Sequence, residues 1–123
     1  MPKPNVTVNV RKVGPVTSVL DIKGEVTGFA EEVLMEAYTR ASNQGARTLA
    51  LNFAELDYMN SSGIGLLVTL LVRVQRQKQK LLAFGLSEHY KQIFELTRLN
   101  EAIGIYETEA DVVRAGAELG TVR

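Results

Sequence analysis

The residues best suited to chemistry lie together in one short stretch, Asp57-Tyr-Met-Asn-Ser-Ser-Gly-Ile-Gly-Leu-Leu67. Asn60, Ser61 and Ser62 precede Gly63, Ile64 and Gly65, and a long apolar run follows. Asn and Ser are favoured helix N-caps, because their side-chain oxygens accept bonds from first-turn N–H groups that otherwise lack partners. Capping does not need the two glycines, each of which costs a helix about 1 kcal/mol relative to Ala. They imply that a neighbouring strand or another molecule approaches the backbone closely. A helix N-terminus also favours negative charge. A phosphate on Ser61 or Ser62 would add roughly −1.5 to −2 charges where the helix dipole stabilises them. The site suits a reversible phosphate or a phosphate ligand.

Other chemistries fit less well. A hydrolytic triad would have to bring His89, the only histidine, to Ser61 or Ser62 and to a carboxylate such as Asp57. The sequence around the serines is not the G-x-S-x-G elbow of hydrolases. The Gly-Ile-Gly step lacks the third glycine of a dinucleotide fingerprint and the Lys-Ser/Thr of a phosphate loop. With no cysteine, disulfides, thiolate metal sites and cysteine nucleophiles are excluded, and a single histidine excludes a histidine-rich metal site. No cofactor and no metal are expected. Lys+Arg and Asp+Glu both total 14, so no bulk nucleic acid or anionic membrane partner is indicated. The basic run Arg73 to Lys80 reads as a solvated helix C-terminus, and Glu31, Glu32 and Glu36 as a solvated helix face.

The elements that must hold these residues follow from hydropathy patterning. At 123 residues and 46% hydrophobic, the chain is one domain able to bury a core. Residues 5–13 alternate through Val6, Val8, Val10 and Val13, and residues 16–23 form a second strand. Gly14 and Pro15 turn the hairpin, and Gly24 ends it. A helix is predicted from Phe29 to Asn43, with Val33, Leu34, Ala37, Tyr38 and Ala41 inward and Gly45 as its stop. A short central strand covers 47–53, and 54–60 reads as a loop. A second helix runs from about Ser62 to Gln77, with Ile64, Leu67, Val68, Leu71, Val72 and Gln75 as its apolar face. A strand at 80–86 precedes a helix capped by Ser87, with Ile93, Phe94 and Leu96 inward. A strand at 102–108 and a terminal helix capped by Thr108 complete the chain. The order β-β-α-β-α-β-α-β-α predicts an α/β domain: a mixed, mostly parallel sheet of four to five strands with about four helices packed on it. The longest apolar stretch reaches Arg73 too soon to span a bilayer, which needs about 20 residues. The start, Met-Pro-Lys-Pro-Asn-Val-Thr, has no secretory apolar region, and with the missing cysteines this fits a cytoplasmic protein.

Strand, Asn60-Ser-Ser-Gly-Ile-Gly65 and apolar helix together resemble the STAS domain, in particular the bacterial anti-sigma factor antagonists. Gly24-Glu-Val26, after the second strand, matches a turn that is commonly Gly-Glu-Leu-Asp in that family. Residues from about 5 to 118 can be laid on the family's element order. The resemblance implies a regulatory binding protein rather than an enzyme. Its unphosphorylated form would bind an anti-sigma factor serine kinase and so free a sigma factor for transcription. The kinase would switch it off by phosphorylating Ser61, and a serine phosphatase would restore it. Ser61 matches the family's acceptor, with Ser62 behind it. The implied partner surface comprises Asn60, Ser61, Ser62, Gly63 and Ile64 with Gly24, Glu25 and Thr27. Two positions depart from the pattern: the family's aspartates before the serines and after the Gly-Glu turn are Asn60 and Thr27 here. A STAS scaffold that binds protein partners without a phosphorylation cycle is the alternative, and a small-ligand or nucleotide sensor a weaker one.

Overall fold

The computed structural model describes residues 5–121, so the ends of the expected 1–123 domain, residues 1–4 and 122–123, lie outside the described part. Five strands form one sheet in the order β1-β2-β3-β4-β5: β1 (Val6–Lys12), β2 (Thr17–Val26), β3 (Thr48–Met59), β4 (Lys80–Phe84) and β5 (Gly104–Tyr106). The β1–β2 hairpin is antiparallel, and every later pairing is parallel. The helices are α1 (Glu31–Asn43), α2 (Ser61–Arg76), α3 (Glu88–Leu96) and α4 (Glu109–Thr121). The predicted α/β architecture is the observed one.

Strand alternation divides the interior in two. Leu20, Ile22, Leu49, Leu51, Leu81 and Ala83 face a large core closed by Leu34, Leu67, Leu70, Val74 and Phe94 from α1, α2 and α3. The residues between them, Val19, Ala50, Leu82 and Phe84, face a smaller core under Val112 of α4. Central strands buried on both faces read as near-continuous apolar runs, as "TLAL" and "LLAF" do here. The predicted caps are in place: Ser87 Oγ accepts from the Tyr90 amide at 3.3 Å, and Thr108 Oγ1 accepts from the Asp111 amide at 3.2 Å.

Several expectations are corrected. Residues 54–59 are not a loop, because β3 runs on to Met59, held by β2 as far as the pair Val26–Met59. Backbone pairing sustains this half of the strand while most of its side chains stay exposed, so no apolar alternation announces it. Gly24 does not end β2, which continues to Val26. It has φ +106°, beside a shift in the β2–β3 register, and a Cβ there would lie 2.3 Å from the Asn5 carbonyl oxygen. The strand at 80–86 stops at Phe84, before Gly85 with φ +78°, and the last strand is only Gly104–Tyr106. Leu96 faces out, 84% exposed. Val68, Val72 and Gln75 are exposed as well, since α2 buries Gly63, Leu66, Leu67, Leu70 and Val74.

On the face carrying α4, Arg11 of β1 holds Asp21 of β2 at 2.5 and 2.9 Å, and Glu109 at the start of α4 at 2.6 and 3.2 Å. Asp21 also accepts from Asn52 Nδ2 at 2.8 Å. The Arg11 hydrogen bonds lower the Asp21 pKa against the opposing effect of its partial burial. A carboxylate with a depressed folded-state pKa stabilises the fold above its unfolded pKa of about 3.9. That contribution is lost as pH falls through the lowered value. Asp21→Asn should therefore reduce stability near neutral pH and flatten its decline below about pH 4 in urea titrations. Gly24→Ala should cost more than about 1 kcal/mol in the same assay, because both the positive φ and the Asn5 carbonyl oppose a side chain.

Candidate functional site

Strand β3 delivers Asn60 to the start of α2 in an extended conformation, φ −96° and ψ −177°. There Asn60 Oδ1 accepts from the Gly63 amide at 2.9 Å, and its backbone carbonyl accepts from the Ile64 amide at 3.0 Å. Asn60 is therefore the cap and Ser61 the first helical residue, one position earlier than predicted. The Asn60 amide donates to the Val26 carbonyl at 3.3 Å, which joins the helix entrance to the end of β2. The amides of Ser61 and Ser62 have no partner within the helix, and the first turn holds no acidic residue.

Both serines are exposed, and neither hydroxyl is engaged in a hydrogen bond among the described residues. They are thus free for modification at the positive end of a 16-residue helix. Thr27 caps the 3-10 turn Gly28–Ala30, its Oγ1 accepting from the Phe29 amide at 3.3 Å. This turn lies against the serines: a Cβ on Gly28 would lie 3.6 Å from the Ser62 Cβ. Exposed Phe29 projects from it, 61% accessible. The loop at 24–28 and the serine loop are therefore adjacent, although Gly24 itself is buried in the sheet and Glu25, paired in register with Tyr58, is half-buried. Ile64 is half-buried against the large core.

The two glycines differ in purpose. A Cβ on Gly63 would lie 2.0 Å from the Val26 carbonyl oxygen and 2.9 Å from Met59 Cγ, so Gly63 lets the helix seat against the sheet. A Cβ on Gly65 would meet nothing within 4 Å, so the fold makes no demand for glycine there. Spacing alone could not separate these two roles.

Tyr90 of α3 completes the junction from the other side, its hydroxyl accepting from the Met59 amide at 2.9 Å. Sequence reasoning missed this contact, and the tyrosine position in a short amphipathic helix carries no mark of it. His89 stacks edge-on against Tyr90 with ring centroids 4.9 Å apart. It is exposed and makes no hydrogen bond among the described residues, so it is not joined to either serine as a triad would require. Among the described residues no cluster of His, Asp and Glu could hold a metal ion. No helix there is long and apolar enough to cross a membrane.

The model of the STAS domain matches residues 7–112. An anti-sigma-B factor antagonist of Listeria monocytogenes is 23% identical over 108 residues, covering 88% of this chain and 95% of that protein. One from Staphylococcus aureus is 28% identical over 86 residues, covering 70% of this chain and 80% of that protein. Among solved structures, the Bacillus cell fate determinant SpoIIAA in its phosphorylated form has a TM-score of 0.69 at 21% identity, covering 89% of this chain and 99% of that one.

The contrast between the glycines is directly testable. Gly63→Ala should destabilise the protein by about 2 kcal/mol or more, as a Cβ forced against backbone must move the helix. Gly65→Ala should leave stability unchanged or raise it by up to about 1 kcal/mol. Chemical denaturation of both variants measures the difference, and equal losses would show that Gly65 also serves the fold.

Proposed function

The chain belongs to the STAS domain family, and from that premise we propose that it acts as an anti-sigma factor antagonist switched by phosphorylation of Ser61. The unphosphorylated protein binds an anti-sigma factor that is also a serine kinase, and a serine phosphatase reverses the modification. The observation that carries this reading is the state of the serines. Ser61 presents a free, exposed hydroxyl at an unneutralised helix N-terminus, beside the exposed Phe29 turn.

Asn60 fits the proposal despite replacing the family's usual acid. It makes the cap bond itself, so the helix start keeps its geometry without a carboxylate. A phosphate on Ser61 would meet no acidic side chain in the first turn and would face the positive end of the dipole. The same charge would oppose binding, because a partner packed over Phe29, Ser61, Ser62 and the exposed part of Ile64 would have to desolvate it. Glu25 and Thr27 border this surface, and Thr27, where the family has an aspartate, caps the 3-10 turn. The function proposed is that of a binding protein; the serine is a substrate of the partner, not a nucleophile of this chain.

The test is incubation with an anti-sigma-type serine kinase from the same organism and ATP, followed by mass mapping. Phosphate is expected on Ser61, none on the Ser61→Ala protein, and at least tenfold weaker binding of the Ser61→Asp protein. Phosphate on Ser62 alone would move the acceptor by one residue. Stable binding of partners with no phosphate on either serine would favour the scaffold reading.

A further inference from the structure

A cavity lies between the β1–β2 turn and the second half of α4. Its volume is about 400 Å³, within the roughly 300–1,000 Å³ of small-molecule pockets. The turn contributes Val13, Pro15 and Val16 to its lining, and α4 contributes Val113 and Ala117. No described residue in the lining has a charged side chain. β2 runs from Thr17 at this cavity to Val26 at the serine junction. The two places are therefore roughly 30 Å apart along the strand, at about 3.3 Å per residue.

Thr17 is the unusual member of the lining. It is only 3% exposed, yet its hydroxyl makes no hydrogen bond among the described residues. Buried hydroxyls ordinarily have a partner, because an unpaired one loses its water without compensation. Thr17 lies two residues before Val19, so its side chain is on the same face of the sheet, toward α4. A Cβ on Gly116 of α4 would lie 2.4 Å from Thr17 Oγ1. The hydroxyl thus reaches the helix that walls the cavity. The backbone around it is already engaged. The Thr17 carbonyl accepts from the Val13 amide at 2.9 Å, and the Val16 carbonyl accepts from the Arg47 and Thr48 amides at 2.7 and 3.0 Å. These bonds hold the turn in place and leave the Thr17 hydroxyl as a donor and acceptor in an apolar lining.

We propose that this cavity binds a small uncharged molecule with an apolar body and one hydroxyl or carbonyl group. The valines, Pro15 and Ala117 cover the body, and Thr17 pairs with the polar group. A carboxylate or phosphate is disfavoured, since no cation lines the cavity to offset its desolvation. The bound molecule bridges the hairpin turn and the terminal helix. This site shares no residue with the serine junction, so the inference stands independently of the antagonist reading.

The experiment titrates the whole isotopically labelled protein with benzyl alcohol, toluene and benzoate and follows its amide spectrum. Benzyl alcohol should give saturable shifts centred on Val13, Gly14, Thr17, Val113 and Gly116. It should bind at least about threefold more tightly than toluene, which lacks the hydroxyl, and at least about tenfold more tightly than charged benzoate. Thr17→Val keeps the side chain's shape and removes its hydroxyl. It should bring the benzyl alcohol and toluene affinities within about twofold of each other. Val113→Phe, which fills the cavity from α4, should abolish the shifts, with circular dichroism as the folding control. An absence of saturable shifts at these amides would overturn the proposal, as would a preference over toluene that survives Thr17→Val. Shifts of the same amides on raising the protein concentration alone would also overturn it, by assigning the cavity to a second copy of the chain.

Discussion

The start of α2 depends on a single close approach. The Val26 carbonyl of β2 occupies the space where any residue but glycine at position 63 would carry its Cβ, and the same carbonyl accepts the Asn60 amide. The helix entrance is thereby pinned to the end of a strand buried in the sheet. Asn60 can then cap the Gly63 amide, and Ser61 falls at the first helical position with its hydroxyl outward. Tyr90 holds the adjacent Met59 amide from α3, so three elements fix the junction. Display of the serine follows from backbone packing rather than from any partner of the serine itself.

The fold thus separates what it needs from what it exposes. One side of α2 closes the large core through Leu67, Leu70 and Val74. The other carries Ser61, Gly65, Val68 and Val72, all exposed, and glycine and valine are weak helix formers. Phe29, on the turn beside Ser62, is a further large apolar group left in water. Scattered exposed apolar residues are ordinary, but these adjoin the two exposed serines at the start of α2. The sheet face under α4 follows a different logic: the Arg11–Asp21–Glu109 network ties the terminal helix to the hairpin, well removed from the serines in its bonding.

Much of this was legible in the sequence. The Asn-Ser-Ser-Gly stretch, the alternating hairpin and the strand–helix order led to the right architecture, because binary patterning and capping chemistry are local signals. What was not legible depended on tertiary placement. Residues 54–59 have no apolar alternation, since pairing with β2, not burial, keeps them extended. Val68 and Val72 read as inward because apolar residues on a helix ordinarily are; the buried stripe through Leu67, Leu70 and Val74 is rotated from theirs, and both periodicities coexist in so apolar a helix. The roles of Gly63 and Gly65 could be divided only once the Val26 carbonyl was seen beside the first. At Asn60, where the family pattern has an aspartate, the side-chain amide oxygen makes the cap bond.

The proposed phosphorylation of Ser61 would act by local charge on a junction that hydrogen bonds already hold together, and not by refolding. Amide spectra of the isotopically labelled protein before and after stoichiometric phosphorylation test it most directly. Shifts should be confined to Thr27–Phe29 and the first turn of α2, with the β2–β3 amides and the Tyr90–Met59 contact unmoved. Changes spreading through the sheet or into α4 would contradict it.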